Sequence, residues 1–123
     1  MFSRWLSALV LCVLCACTPK SQGTNVTPSI ADRETTQIAP TVERYKKDGT
    51  LTGFDIKGDS LLVFADSEKY SQLDDQVEED MKNSLLRAWA ATWSANHAHM
   101  HAVLHVVLQN YYGQQMATLT KRV

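Results

Sequence analysis

The spacing of hydrophobic positions changes along this chain, and each spacing predicts a different element. Apolar runs at 50–56 and 61–65 flank Lys57-Gly58-Asp59-Ser60, a combination typical of a β-hairpin. From 71 to 96 apolar residues recur every three or four positions, which predicts one amphipathic helix. Ser71-Gln-Leu-Asp74 resembles a capping box at its start. The buried face should comprise Leu73, Val77, Met81, Leu85, Ala88, Trp89 and Thr92, widened by Leu86 and Trp93.

From Met100 onward the period becomes two, as in a half-buried β-strand. One set of alternating residues should face the helix, namely Met100, Ala102, Leu104, Val106 and Leu108. The other set should point away, namely His99, His101, Val103, His105 and Val107. Asn110-Tyr-Tyr-Gly113 then either turns the chain into a last strand or bends one long strand at Gly113. Both alternatives predict an α+β domain over 45–123: a small antiparallel sheet in ββαβ or ββαββ order, with one amphipathic helix packed on one face.

The stretch before this domain has a different composition. All three prolines fall between 18 and 43, where Thr, Ser, Gln and Asn outnumber large apolar residues. Such a segment buries too little apolar surface to offset its chain entropy, so we expect 17–44 to form a disordered tether. The alternative is a loop packed on the domain, with Ile30 and Ile38 as the residues able to dock.

The first sixteen residues have the pattern of a secretion signal. Arg4 supplies the positive start, and the apolar run from Trp5 to Leu14 is shorter than the roughly 20 residues that span a bilayer. Lipoprotein processing also needs a cysteine directly after the cut and a small residue before it. Cys12 and Cys15 each follow a leucine, whereas Cys17 follows Ala16. Cleavage between Ala16 and Cys17 is therefore the prediction.

Leu14-Cys15-Ala16-Cys17 resembles the lipobox of bacterial lipoproteins. The resemblance covers the signal alone, and no family is identified for the domain. It implies that Cys17 carries a diacylglyceryl group and an N-linked acyl chain such as palmitate. As a further implication, Thr18 rather than Asp after the cysteine favours sorting to the outer membrane, with the domain in the periplasm.

Charge and cysteine content narrow the functional classes. Loss of Arg4 with the signal leaves 11 basic and 13 acidic residues, a net charge of −2. This balance disfavours nucleic acid as a partner, because phosphate binding needs clustered Lys and Arg. Two of the three cysteines leave with the signal and the third is acylated, so the mature protein has no cysteine pair for a disulfide.

The histidines are the one cluster with candidate chemistry. His97, His99, His101 and His105 all occupy odd positions, so in an extended strand they would share one side. Neutral imidazole is a common ligand of zinc and copper, and His99, His101 and His105 are the candidate metal site. The alternative is a solvated sheet face that happens to be rich in histidine.

We find no nucleophile elbow, phosphate-binding loop or zinc-protease motif in the sequence, and we expect no enzyme and no obligatory cofactor. Aromatic residues near a strand edge, such as Tyr111 and Tyr112, are usable contact points. We therefore expect a lipid-anchored envelope lipoprotein that is a non-catalytic interaction or structural module of an envelope assembly, for example in secretion or conjugation. Its partners would be the membrane and other envelope proteins. The alternative is a periplasmic metal-binding protein that uses the cluster His97–His105.

Overall fold

The structure is a computed structural model that describes residues 27–123, so the predicted signal peptide and Cys17 lie outside the described residues. Within 27–123 the chain forms three helices and four strands. In order they are α1 (Ile30–Lys46), β1 (Leu51–Lys57), β2 (Ser60–Ala65), α2 (Ser67–Ser71), α3 (Asp75–Asn96), β3 (Val103–Gln109) and β4 (Gln115–Arg122).

The four strands form one sheet in the order β1-β2-β3-β4. The α+β class is confirmed, and of the two predicted orders the chain has ββαββ around α3. The sheet differs from the antiparallel expectation at its centre, where β2 and β3 run parallel, with Ser60 opposite His105. Helix α3 causes this difference. Its 22 residues, about 33 Å long, return the chain to the end where β2 began, as in a crossover connection.

The hairpin between β1 and β2 lies where the sequence predicts it. Lys57 pairs with Ser60, which leaves Gly58 and Asp59 as a two-residue loop. Gly58 has φ 63°, the positive value that a type II′ turn requires at its first central residue. The loop therefore sets the register of the two strands.

Helix α1 overturns the tether prediction from Ile30 onward. The Ser29 hydroxyl caps the helix by accepting from the Asp32 N–H at 3.1 Å. Ile38 and Val42, four residues apart on one helical face, are both fully buried. The buried face of α1 is narrow, and the helix contains Pro40. For both reasons the composition of this segment did not predict a helix. Two buried side chains against the sheet outweigh the poor helix propensity of the segment.

Helix α3 supplies the largest part of the core. Met81, Leu85 and Trp89 have 0–1% exposure, as the helical period predicts, whereas Val77 is 47% exposed. The N-cap residue is Asp74 and not Ser71, which ends α2 and donates its hydroxyl to the Glu68 carbonyl. Sheet residues complete this core from the same face, namely Leu51, Leu61, Val63, Ala65, Leu104, Val106 and Leu108.

The alternation predicted after Met100 holds only within β3. Leu104, Val106 and Leu108 are fully buried under α3, but the strand begins at Val103 and Met100 is 58% exposed. Residues 110–114 form a turn, so the chain reverses into β4 and does not continue as one bent strand.

Strand directions define two ends of the domain. The proximal end holds the start of α1, the Gly58-Asp59 loop, the 97–102 connection and the end of β4. It is fixed by a bond from Arg33 Nε to Asn96 Oδ1 at 3.0 Å and by a bond from the His105 N–H to the Asp59 carbonyl. The distal end holds α2, the start of α3 and the 110–114 turn, about 20 Å away along β3. In residues 27–123 no helix combines the length and the hydrophobicity needed to cross a membrane.

Candidate functional site

The most exposed aromatic surface of the described chain is the turn between β3 and β4. Tyr111 is 91% exposed and Tyr112 is 83% exposed. Their rings meet edge to face, with centroids 5.5 Å apart and an interplanar angle of 89°. This geometry is favourable for two aromatic rings, so the pair presents one joint surface and not two independent side chains. We call Asn110–Gln114 the tyrosine turn.

Asn110 holds the tyrosine turn in shape and is only 8% exposed. Its side-chain carbonyl accepts from the N–H groups of Tyr112 at 2.9 Å and Gln114 at 3.0 Å. Its amide nitrogen donates to Gln114 Oε1 at 2.8 Å, and its backbone N–H donates to the Gln114 carbonyl at 3.0 Å. Gly113 has φ 80°, a left-handed conformation that glycine adopts without steric cost. The two tyrosines are thus displayed by a turn that the hydrogen bonds of Asn110 hold in one shape.

The sequence predicts this turn but not how far its two tyrosine side chains are exposed. Asn110-Tyr-Tyr-Gly113 contains the residues that turns use, and alternation along a strand would have placed one tyrosine inward. The chain leaves the strand at Gln109, so that alternation stops and both rings lie in solvent.

The four histidines do not share one strand face. His97 is the C-cap of α3, His99 has φ 65° in the following connection, and His101 lies before β3 and is exposed. His105 alone lies within β3, and it is half-buried. The prediction assumed an extended chain from residue 97, whereas residues 97–102 form an irregular connection.

In the described part of the chain, no three His, Cys, Asp or Glu side chains come together in a group that could hold a metal ion. The proposed set of His99, His101 and His105 is therefore not brought together. His101 Nδ1 lies 3.3 Å from the Val123 carbonyl oxygen, an acceptor that fixes the ring at the end of β4.

His97 belongs instead to a buried polar contact between α1 and α3 that the sequence did not reveal. Its ring stacks on Trp93, with centroids 4.2 Å apart, and its Nδ1 lies 2.9 Å from the Trp93 carbonyl oxygen. Because that oxygen only accepts, Nδ1 carries the proton. Glu34 Oε2 lies 3.7 Å from the same nitrogen, is buried, and has no hydrogen-bond partner among the described residues.

Burial of Glu34 raises the pKa of its carboxyl, and the nearby His97 and Arg33 oppose that rise. The sequence analysis did not identify Glu34, because it lies in the segment predicted to be a tether. Its spacing of four residues to Ile38 is the pattern that could have placed both on one helical face. The pair links the helix nearest the predicted lipid anchor to the end of α3. The pair contains two titratable side chains and no nucleophile, so we expect it to affect the pH dependence of stability.

No family model matches this chain, and no curated protein or solved structure matches it.

Proposed function

We propose that this protein is a lipid-anchored envelope lipoprotein that works through protein contacts, with the tyrosine turn as its contact surface. The observation that supports this function is the joint exposure of Tyr111 and Tyr112 on a turn fixed by Asn110. Tyrosine is enriched among residues that dominate binding energy at protein interfaces. A turn with a fixed shape also loses little conformational entropy when a partner binds.

The position of the turn supports the same proposal. The chain enters the domain at the proximal end, where α1 begins, and the tyrosine turn lies at the opposite end. An anchor on Cys17 would therefore leave the two rings on the side of the domain away from its point of attachment. Such an arrangement suits a module that reaches from one membrane toward a partner in the periplasm.

The anchor is tested by metabolic labelling with a fatty acid. Replacing Cys17 with Ser should abolish the label and leave an unprocessed precursor, because that cysteine is the acylated residue. A matched Cys15→Ser change should keep the label, since Cys15 is predicted to leave with the signal. Unchanged labelling of the Cys17→Ser protein would end the lipobox interpretation.

The contact surface is tested by site-specific photo-crosslinking in cells. A photoreactive amino acid at Gln115, the exposed first residue of β4 directly after the turn, should give an adduct with one envelope protein that mass spectrometry identifies. The double change Tyr111→Ala and Tyr112→Ala should remove this adduct, whereas Gln72→Ala at the same end of the domain should not. An adduct that survives the tyrosine double change would show that the contact lies elsewhere.

A further inference from the structure

Exposed large apolar side chains gather at the proximal end as well as at the tyrosine turn. Among residues 27–123 six large hydrophobic residues are exposed, and three of them lie at the proximal end. They are Met100 at 58%, Ile30 at 41% and Val103 at 41%. Single exposed apolar residues are ordinary, but three at the end where the chain enters the domain call for an explanation.

The connection that displays Met100 has an unusual backbone. His99, the residue before it, has φ 65°, a left-handed conformation that residues other than glycine rarely adopt. Among the described non-glycine residues it is the one with positive φ. Such a backbone conformation persists only where neighbouring structure holds it, so the shape of the 97–102 connection, which exposes Met100, is fixed by its contacts.

The residues directly after Met100 line a shallow apolar depression. It is formed by His101, Ala102, Val103, Arg122 and Val123. The Val123 N–H donates to the Ala102 carbonyl at 3.0 Å, which holds the end of the chain against the start of β3. Arg122 is exposed opposite Val103 and adds a cation next to the apolar side chains. Apolar groups beside a guanidinium match the boundary between acyl chains and anionic headgroups in a bilayer.

Covalent geometry limits how far this end can lie from the predicted anchor. Ser29, the N-cap of α1, lies twelve residue steps after Cys17, and a fully extended chain of twelve steps spans about 40 Å. An acyl chain on Cys17 would therefore keep the bilayer within reach of the proximal end.

We propose that Ile30, Met100, Val103 and Arg122, which we call the proximal surface, lie against the lipid leaflet that holds the anchor. This inference rests on the proposed lipidation of Cys17. It gives the domain an orientation in which the membrane contacts one end and the tyrosine turn faces the opposite way.

The test uses the full lipidated chain reconstituted in vesicles of phosphatidylethanolamine and phosphatidylglycerol. Met100→Cys is labelled with a nitroxide, which reacts at one position because acylation blocks the thiol of Cys17. Accessibility to oxygen, which concentrates in lipid, is compared with accessibility to a water-soluble nickel chelate. Each label is measured first in buffer without detergent or lipid and then in vesicles. In the vesicles the label at Met100→Cys should lose nickel accessibility and gain oxygen accessibility. The same label on Tyr112→Cys is the matched control and should show no such shift.

Three outcomes would overturn the orientation. Equal nickel accessibility at both positions, with acylation of Cys17 intact, would remove the membrane contact and leave the proposed function standing. Protection of Met100 that grows with protein density and not with lipid would assign the surface to a second copy of this chain. Absence of an acyl chain on Cys17, measured by mass spectrometry on the same sample, would overturn both proposals.

A Met100→Asp change with a label at Val103→Cys should restore nickel accessibility there without altering the melting temperature.

Discussion

Trp89 Nε1 donates a hydrogen bond of 3.0 Å to the backbone carbonyl oxygen of Asp59, joining helix α3 to the loop of the first hairpin. The same oxygen accepts from the His105 N–H at 3.1 Å. One carbonyl therefore binds the helix and the start of β3, and the parallel pairing of β2 with β3 begins beside it. Trp89 is fully buried, so its indole fills the core while its one polar atom is satisfied.

Two substitutions at Trp89 separate packing from hydrogen bonding. Trp89→Ala should lower the free energy of unfolding by about 3–5 kcal/mol, which a domain of this size can scarcely tolerate. Trp89→Phe keeps an aromatic ring but removes the N–H donor. Besides the effect of the smaller side chain, we expect the lost hydrogen bond to lower the free energy of unfolding by only about 1 kcal/mol. Denaturant unfolding measures both. Wild-type stability of the Trp89→Ala protein would show that the core is assigned wrongly.

Elements with a strong periodic pattern were predictable from sequence, and the hairpin and α3 are the examples. Their apolar residues are numerous, and the turn chemistry at Gly58 specifies the loop. Helix α1 was missed because its contact with the core rests on Ile38 and Val42, two residues in a polar background. The parallel pair was missed because strand direction depends on how α3 spans the sheet, which no local pattern encodes.

Glu34 should make stability depend on pH. Burial raises the pKa of this carboxyl, so its ionisation destabilises the folded state. The contribution of Glu34 is therefore most favourable below its ordinary pKa of 4.5 and is lost as pH rises through the higher folded value. Glu34→Gln should therefore raise the free energy of unfolding at pH 7, and the gain should vanish below about pH 4.5, where the carboxyl is protonated in both the folded and the unfolded state.

The control for Glu34 is Glu43→Gln on the same helix. Glu43 is exposed and pairs with Lys46 at 3.2 Å, and a surface pair of this kind contributes little. Thermal unfolding of both variants between pH 4 and pH 8 measures the difference. A destabilised Glu34→Gln protein at neutral pH would mean that His97 and Arg33 more than offset the burial of the charge.

Tyr70 and Glu78 provide the opposite pH dependence. The Tyr70 hydroxyl donates to Glu78 Oε2 and links α2 to α3, and this hydrogen bond, together with Lys82, lowers the pKa of Glu78. The stabilisation is present above the ordinary pKa of 4.5 and is lost as pH falls through the lower folded value. Tyr70→Phe should cost about 1 kcal/mol at pH 7 and progressively less in acid. Tyr112→Phe, which changes an exposed hydroxyl, should be neutral at every pH.

The candidate site was predictable as a set of residue types but not as a geometry. Asn110 and Gly113 mark a turn in the sequence, yet their pattern cannot tell how many tyrosines it exposes. The histidine spacing suggested convergence only while the chain was taken as extended, and the φ of 65° at His99 breaks that assumption. Side-chain convergence depends on backbone direction, which six irregular residues are enough to change.

The histidines provide the last prediction, because they separate the two functional classes considered for this protein. His99, His101 and His105 are not grouped in the structure, so each should tolerate Gln with changes within about ±0.5 kcal/mol. Calorimetry with zinc and copper at neutral pH should show no stoichiometric binding by the tag-free protein. His97→Gln is the informative contrast, since it loses the stack on Trp93 and the bond to the Trp93 carbonyl, and should cost about 1–2 kcal/mol. Binding of one ion per chain that weakens near pH 5 and disappears in His101→Gln would instead favour a metal-binding protein, because protonated imidazoles lose the lone pair that a metal needs.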